Sequence, residues 1–345
     1  MGVGNWELGV CTSLDRQNGS GTILRSMSLV VAAGPLLDHI FDHTFPIWNE
    51  GLTRAAYGQW NKAQLRTPWG SRNLRRFALL DDDGSLLASA KRYRIDVTLD
   101  GREGWMAGMG AVFTPESRRG QGHATRLLEM LVERERVAGA LLSSLFSEIG
   151  AEFYERIGFR TVPLDEVTVT VKRKDGAPAM LVRGGEERDL ADIATMHATR
   201  TAGVRFALRR DPALLGYALS KKRLLAGLGP PGLRQVEFFV AEEGRSAVAY
   251  VVLSENANGW TLEEAGDRDP AGARLGAMLQ VLLAREPAHR PPLIRAWWPR
   301  SMPVSPQIEL TDRIAARDLF MVRPLADVAM PATADDVFYW RSDYF

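Results

Sequence analysis

A turn with two glycines, Arg119-Gly120-Gln121-Gly122, lies between an apolar stretch and an amphipathic one, and this order constrains the fold more than any other feature. The apolar residues at 105–113 predict a β-strand, and leucines at helical spacing within residues 123–138 predict a helix. The first amides of such a helix have no intrahelical partner, and together with the helix dipole they attract an anion. Arg118 and Arg119 add positive charge beside them. The sequence therefore predicts a pyrophosphate site where a strand leads into a helix.

Strand-like and helix-like stretches alternate around this turn. Strands are predicted at residues 28–33, 76–80, 85–93 and 141–146, with two strand-like runs within 160–172. Helical spacing covers residues 36–65, broken near Pro46 and by Gly51 and Gly58, and a short helix is predicted at residues 150–156. This alternation predicts an α/β (α+β) fold with a mixed central sheet flanked by helices.

The second half of the chain repeats the same rhythm. Strands are predicted at residues 180–183, 235–241, 247–254, 260–264, 293–298 and 320–324, and helices at 187–201, 212–228 and 271–285. A polar stretch at residues 172–178, with an Asp-Gly turn and a proline, predicts a domain boundary. We therefore expect a mobile extension over residues 1–26, a domain over 27–175, and a related domain over 176–345 with a docked aromatic C-terminus.

The second half has no glycine-rich phosphate turn. Acids and a proline, Asp267-Arg268-Asp269-Pro270, stand at the corresponding place, and carboxylates there would repel a pyrophosphate. The sequence therefore predicts one anion site, in the first half, with the second half shaping the acceptor pocket. Glu263, Glu264 and the nearby aspartates either attract a cationic amine or form a solvated acidic loop.

Residues 107–159 resemble the acetyl-CoA-binding core of the GCN5-related N-acetyltransferase (GNAT) family. The turn fits the family's (Arg/Gln)-x-x-Gly-x-(Gly/Ala) pattern, and Phe153-Tyr154-Glu155-Arg156-Ile157-Gly158-Phe159 follows the next strand. The resemblance implies acetyl-CoA as co-substrate and Tyr154 as the acid that protonates the leaving thiolate. It also implies cofactor contacts from Ala111, Val112, Phe113, Arg118, Arg119, Gly120, Gln121, Gly122, His123, Ala124, Thr125 and Ser147, the last where many members carry asparagine.

Acetyl transfer to an amine also needs a proton acceptor, because an alkylammonium has a reference pKa of about 10.4. The predicted strand at 105–113 contains no Asp or Glu. Glu148, just after the strand at 141–146, is the nearest candidate in sequence, although it can also serve to compensate a helix dipole. Phe345 is a second candidate, because docking of the terminal aromatic cluster would bring its α-carboxylate to the amine site. Aminoglycoside acetyltransferases of the enhanced-intracellular-survival type are similar in this respect, and ordinary packing is the alternative.

Two further stretches resemble lysine N6-acetyltransferase-like proteins: Phe113-Thr114-Pro115 before the turn and Ser147-Glu148-Ile149-Gly150 before the tyrosine. This resemblance implies an acyltransferase that acts on the side-chain amine of free L-lysine. An aminoglycoside or polyamine N-acetyltransferase, or a non-catalytic acyl-CoA-binding module, would share the same cofactor residues. Arg205, Arg209 and Arg210 either hold a substrate carboxylate or form an exposed basic helix face.

The composition restricts the classes of partner that the protein is expected to bind. Lys and Arg number 43 against 42 Asp and Glu, so no charge excess points to nucleic acid or an anionic membrane. The single cysteine, Cys11, excludes a disulfide framework within the chain, and the five scattered histidines predict no metal site. No apolar run approaches the length of a transmembrane helix. We therefore expect a cytoplasmic enzyme without a metal, acting on a small-molecule amine, and the oligomeric state is left open.

Overall fold

The computed structural model describes residues 27–172, 180–287 and 289–345. The predicted extension over residues 1–26, and most of the predicted boundary at 172–178, lie outside the described residues. Within those ranges no helix is long and apolar enough to cross a membrane.

The first part of the chain builds strands and helices around the glycine turn. In order, they are β1 (Ser28–Val31), α1 (Gly34–Trp48), α2 (Arg54–Arg66), α3 (Gly70–Asn73), β2 (Leu74–Leu80), β3 (Leu86–Leu99), β4 (Arg102–Phe113), α4 (His123–Val137), β5 (Leu142–Ser147), α5 (Glu152–Glu155), β6 (Arg160–Thr161) and β7 (Asp165–Val171). The later part adds β8 (Val182–Gly184), α6 (Leu190–Thr201), β9 (Phe206–Leu208), α7 (Pro212–Leu228), β10 (Arg234–Glu243), β11 (Ser246–Asn256), β12 (Gly259–Asp267), α8 (Ala273–Leu283), β13 (Ile294–Ala296), β14 (Ile308–Ala315), β15 (Leu319–Pro324) and β16 (Val337–Phe338).

The first sheet is mixed and contains the predicted phosphate turn. Within the described residues its main path runs β1-β2-β3-β4-β5-β15-β6, and β9 and β16 extend it beside β3. β4 and β5 are parallel, and α4 connects them. The leucine face of α4 is fully buried against this sheet, with Leu127, Leu128 and Leu131 each at 0% exposure. Burial of this face fixes α4, and hence its N-terminus, against the end of β4.

A second sheet repeats the strand–helix–strand unit. Its described strands run in the order β14-β7-β13-β12-β11-β10-β8, and β12 and β13 are parallel and connected through α8. The predicted mixed sheets flanked by helices are therefore confirmed, and the second sheet contains the same strand–helix–strand unit as the first.

The two sheets exchange strands across the predicted boundary at residue 175. β7, which precedes it in sequence, pairs with β13 and β14 of the second sheet. β15, from the later half, inserts between β5 and β6 of the first sheet. The sheets are therefore interlocked and do not coincide with the two halves of the sequence.

Several element boundaries differ from the sequence prediction for physical reasons. The predicted helical stretch at 36–65 is two helices, separated at residues 49–53, and Gly58 lies buried inside α2 instead of ending it. The short strands β9 and β16 and the largely polar β14 were not predicted. β9 and β16 have only three and two residues, and β14 has exposed charged side chains that hide any apolar alternation.

Candidate active site

The parallel strands β4 and β5 separate at one end, and this opening organises the site. Their register pairs run from Met106–Leu142 to Met109–Leu145 and stop there. Beyond that point β4 bulges, because Ala111 has a φ of 47° and the pairing with β3 shifts between Lys91 and Ser89. A positive φ is unfavourable for a residue with a Cβ by about 1–2 kcal/mol, and such conformations concentrate at functional sites. Ala111 and Val112, beyond the last pair with β5, line a cavity.

The predicted phosphate turn has the geometry of an anion site. Gly120 and Gly122 have φ values of 74° and 80°, and Gly122 is the N-cap of α4. No side chain caps this helix and no acidic residue lies in its first turn, which contains His123, Ala124 and Thr125. A Cβ on either glycine would meet nothing within 4 Å, so the glycines are required by conformation and the space in front of the amides is open. The pyrophosphate of a coenzyme A thioester fits these uncapped amides.

The side chains of the turn are held by local contacts. Arg118 lies 3.6 Å from a carboxylate oxygen of Asp81, and Arg119 donates to the Thr114 carbonyl at 3.4 Å. Gln121 donates to the Ser117 carbonyl at 3.2 Å and lies 3.3 Å from His123 Nε2. Both arginines remain at the rim of the turn, so their charge acts beside the open amides.

The corresponding turn of the second sheet is closed by a carboxylate of the protein itself. Gly272, with a φ of 70°, is the N-cap of α8, just as Gly122 is of α4. Asp267 accepts hydrogen bonds from the amides of Arg274 at 2.8 Å and Leu275 at 3.1 Å. A built-in anion thus occupies the position that a phosphate would need. The solvated-loop interpretation of these acids is wrong for Glu263, Glu264 and Asp267, which are all buried.

Tyr154 lies in the cavity wall, within the short α5. Its side chain is buried, with edge-on contacts to Phe153 at 4.9 Å and Phe159 at 6.2 Å between ring centroids. Burial and the negative charge of Glu148 raise the pKa of Tyr154 to about 12. The phenol therefore keeps its proton throughout the physiological range.

Glu148 is exposed and lines the same cavity. One of its carboxylate oxygens accepts a hydrogen bond from the Tyr344 hydroxyl at 2.9 Å. Tyr344 packs on Phe146 with 4.7 Å between ring centroids, so the aromatic C-terminal segment holds Glu148 near the end of β5. Ser147, by contrast, is buried and donates to the Gly150 carbonyl at 2.5 Å, so its hydroxyl shapes the loop before α5.

Phe345 docks on the open end of β4. A Cβ at Gly108 would lie 2.7 Å from two carbons of the Phe345 ring, so only glycine leaves room for it. The ring also contacts Tyr93 and Phe146, with centroids 5.1 and 5.4 Å away. The main-chain oxygen of Phe345 lies 3.4 Å from where a Cβ of Gly110 would be. The carbonyl end of Phe345 is therefore beside the β4 bulge. The Phe113 side chain is buried, and its ring packs near His43 and Trp48, with centroids 5.9 and 6.5 Å away.

The cavity extends from this opening into the space between the two halves and has a volume of about 690 Å³. Gly110, Ala111, Val112 and Tyr154 line it on the first sheet, and Ser254, Thr261 and Glu263 line it on the second. Helices α2 and α7 meet over it, because Trp60 Nε1 donates to the Lys221 carbonyl at 2.9 Å. The structure adds Lys91 and Lys221 to this lining, which sequence reasoning missed. The one sequence signal that could have found them is the lysine, Lys91, inside the apolar stretch that forms β3.

The three arginines considered for substrate binding lie elsewhere. Arg205 pairs with Asp100 at 2.9 Å, Arg209 with Glu103 at 3.1 Å, and Arg210 with Glu264 at 3.1 Å. None of them lines the cavity, and Arg209 and Arg210 stand in a loop before α7 instead of on a helix face. Across residues 27–172, 180–287 and 289–345, no three His, Cys, Asp or Glu side chains gather as they would around a metal ion.

Comparison with known proteins agrees with this geometry. Residues 43–162, which include the β4 bulge, the phosphate turn and Tyr154, match the family model of the acetyltransferase (GNAT) domain. The fold is the GNAT fold. No curated protein matches the chain in sequence.

Solved GNAT structures resemble most of the chain. A probable N-acyltransferase of unknown function from Enterococcus faecalis V583 has a TM-score of 0.64 at 14% identity, over 88% of this chain and 73% of that one. GCN5-related N-acetyltransferases from Kribbella flavida and Anabaena variabilis have TM-scores of 0.60 and 0.63, at 16% and 10% identity. They cover 88% and 87% of this chain and 72% and 73% of theirs. The likeness extends across both sheets and concerns the fold.

Proposed function

We propose that the protein transfers the acetyl group of acetyl-CoA to the primary amine of a small molecule, with the side-chain amine of free L-lysine as the favoured acceptor. The observation that carries the proposal is that the β4 bulge and Tyr154 line one cavity, while the chain leads from the end of β4 into the uncapped N-terminus of α4. Lysine as acceptor rests on the resemblance of the stretches around Thr114 and Glu148 to lysine N6-acetyltransferase-like proteins.

The bulge supplies the groups that polarise the thioester. Amides of Ala111, Val112 and Phe113 lie beyond the last β4–β5 pair, so those that face the cavity are free to donate to the thioester carbonyl oxygen. The amine nitrogen then forms a bond to the carbonyl carbon, and the carbon–sulfur bond breaks. Preorganised backbone donors lower the barrier of such a step because they need no reorganisation as the oxygen gains charge.

Tyr154 acts on the leaving thiolate. A thiol has a reference pKa of about 8.5, well below the value of about 12 for this phenol. The phenol therefore stabilises the thiolate mainly by donating a hydrogen bond. The thiolate becomes the CoA thiol when it takes the phenol proton, and solvent then returns a proton to Tyr154. General-acid groups of this kind contribute about 10²–10⁴-fold in rate.

The proton of the acceptor ammonium goes to a carboxylate at the mouth of the opening. Glu148 and the α-carboxyl group of Phe345 are the two candidates, both at the cavity. Glu148→Gln and removal of Phe345 separate them, with Phe345→Ala as the matched variant that keeps the carboxyl group. The variant that lowers kcat by 10-fold or more, and shifts the acid limb of its pH profile, identifies the base.

The first experiment is detection of CoA thiol from acetyl-CoA with millimolar L-lysine. Lysine-dependent release above background hydrolysis supports the proposal. Binding of acetyl-CoA without release in the presence of lysine, aminoglycosides or polyamines would contradict an acetyltransferase activity and leave only a binding module.

A further inference from the structure

Two lysines line the cavity without a carboxylate partner among the described residues. Lys91 projects from β3, and Lys221 from α7. Trp60 lies between their elements, with the Lys91 ammonium 5.6 Å from its ring centroid and its indole N–H on the Lys221 carbonyl. Both lysines therefore lie in the part of the cavity wall around Trp60.

The other cavity cations are different. Lys222 pairs with Glu263 at 2.8 Å, Arg234 with Glu50 at 3.5 Å, and Arg341 with Asp318 at 4.0 Å. Within the described part of the chain, no carboxylate lies within 4.0 Å of Lys91 or Lys221. The one polar partner of the Lys221 ammonium there is the Tyr344 carbonyl at 2.9 Å, so two of its three donors remain free.

A third cation lies behind this pair. Arg76 is 3% exposed, donates to Ser89 Oγ at 3.0 Å, and has no hydrogen-bond partner for its Nε. Burial, then Arg76 and Lys221, lower the pKa of Lys91 well below its usual range, and Glu50 acts in the opposite direction. Burial and Lys222 likewise lower the pKa of Lys221 to about 7, against Glu263 and Glu50. Glu50 and Glu263 also line the cavity, but Arg234 and Lys222 already pair with them. Lys91 and Lys221 therefore keep positive charge that a ligand anion would neutralise.

We propose that Lys91 and Lys221 bind an anionic oxygen group of the acceptor, so that the substrate is an amine that also carries a carboxylate or a phosphate. This rests on the proposed function. The amine end reaches the β4 bulge and Tyr154, while the anionic end lies over Trp60 between the two lysines. Such a site selects amino acids and related zwitterions and rejects polyamines and aminoglycosides, which carry only positive charge and would leave the lysines unpaired.

The test compares matched acceptors with and without the anion. L-Lysine and 1,5-diaminopentane share the same amine chain and differ by the carboxylate, and phosphoethanolamine replaces the carboxylate with a phosphate. We expect kcat/KM at least 10-fold higher for one of the anionic acceptors than for the diamine, and the one preferred tells which anion is bound. In Lys91→Met we expect this preference to fall by about 10- to 100-fold through a higher acceptor KM, with the KM for acetyl-CoA unchanged.

Lys62→Met is the matched control, because Lys62 is a half-exposed lysine that pairs with Asp38 at 2.6 Å outside the cavity, and it should keep the preference. Equal use of diamine and anionic acceptors by the wild type would overturn the inference and leave the acetyltransferase activity standing. A rise in the KM for acetyl-CoA in Lys91→Met would also overturn it, since the lysine would then hold the coenzyme.

Failure of the proposed function can be distinguished from failure of this inference. If no amine is acetylated, calorimetry with L-lysine and 1,5-diaminopentane on the CoA-loaded protein decides the inference alone. Binding of lysine only, weakened in Lys91→Met, supports it, and no binding or equal binding of the two refutes it.

Discussion

The residues of the site differ in whether their surroundings leave the side chain available for the reaction. Tyr154 is buried beside a negative charge, which keeps its phenol protonated, whereas Ser147 is committed to the Gly150 carbonyl. The hydroxyl of Ser147 therefore stabilises a loop, although the family resemblance implies a cofactor contact at that position. For both residues, the chemistry depends on neighbours that are not adjacent in sequence.

Tyr154→Phe should lower kcat for acetyl transfer by about 10²-fold or more, because the thiolate loses its hydrogen-bond donor. Acetyl-CoA binding should change by less than 3-fold, since the ring and its packing against Phe153 remain. Stopped-flow thiol detection and equilibrium CoA binding measure the two quantities. Full turnover in the variant would remove Tyr154 from the mechanism.

Acceptor binding should depend on pH through Lys221. An anion favours the charged form of this lysine, whose pKa is about 7 in the free protein. Affinity for the unreactive product N6-acetyl-L-lysine should therefore be highest below pH 7 and fall as the pH rises from 7 to 8.5. Lys91 titrates in the same sense, because burial and Arg76 lower its pKa.

Calorimetry on the CoA-loaded protein measures this affinity. Lys221→Arg should flatten the pH dependence because a guanidinium stays charged across this range. An affinity that does not change between pH 6 and 8.5 in the wild type would contradict the involvement of Lys221.

At the scale of elements, the opening between β4 and β5 is shaped by small residues. Gly108 leaves room for the Phe345 ring, and Gly110 leaves room for its carbonyl end. The glycines of this strand therefore allow Phe345 to pack closely against β4.

Gly108→Ala should displace Phe345, because the new Cβ would lie 2.7 Å from ring carbons on a buried strand. We expect a loss of about 1–3 kcal/mol in stability and at least a 10-fold loss of turnover. In the double variant Gly108→Ala/Phe345→Ala the clash is absent, so the two substitutions should couple by about 1 kcal/mol or more.

Urea unfolding and thiol detection check this prediction. Gly216→Ala is the matched control, since its Cβ would find its nearest atom 3.6 Å away in ordinary contact. Strict additivity of Gly108→Ala and Phe345→Ala would show that Phe345 does not occupy this position.

For the whole molecule, one buried charge cluster ties the C-terminal segment to the second sheet. Arg210 bonds to Glu264 of β12 at 3.1 Å, to Ser342 Oγ at 3.2 Å, and to the Asp343 carboxylate. The side chain of Arg210 is only 2% exposed. This cluster precedes Tyr344 and Phe345, so it positions both residues at the cavity.

Arg210→Met should destabilise the protein by about 3–5 kcal/mol, because it leaves Glu264 and Asp343 buried without a counter-charge. Turnover should fall together with stability, since the segment that contains Tyr344 loses its anchor. Arg209→Met removes an exposed pair with Glu103 and should cost about 0–1 kcal/mol. Urea unfolding of the two variants gives the comparison, and equal stabilities would contradict the anchoring role.

The sequence by itself determined the features that consecutive residues encode. The strand–turn–helix unit, the positive φ of Gly120 and Gly122, and the position of Tyr154 after β5 follow from periodicity and from conformations that glycine adopts without strain. The mixed fold could be predicted from these units because each of them requires a sheet to cover its apolar face.

Only the tertiary structure decided what distant segments do to each other. The exchange of β7 and β15 between sheets depends on which strand edges meet, and no local pattern specifies that choice. The same is true of the charges: Arg210 is neutralised by Glu264, while Lys91 and Lys221 in the cavity form no ion pair with any residue that the structure describes. The sequence does not distinguish a charged side chain that stabilises the fold from one that binds a ligand. The role of such a side chain is set by the partners that folding places within a few ångströms.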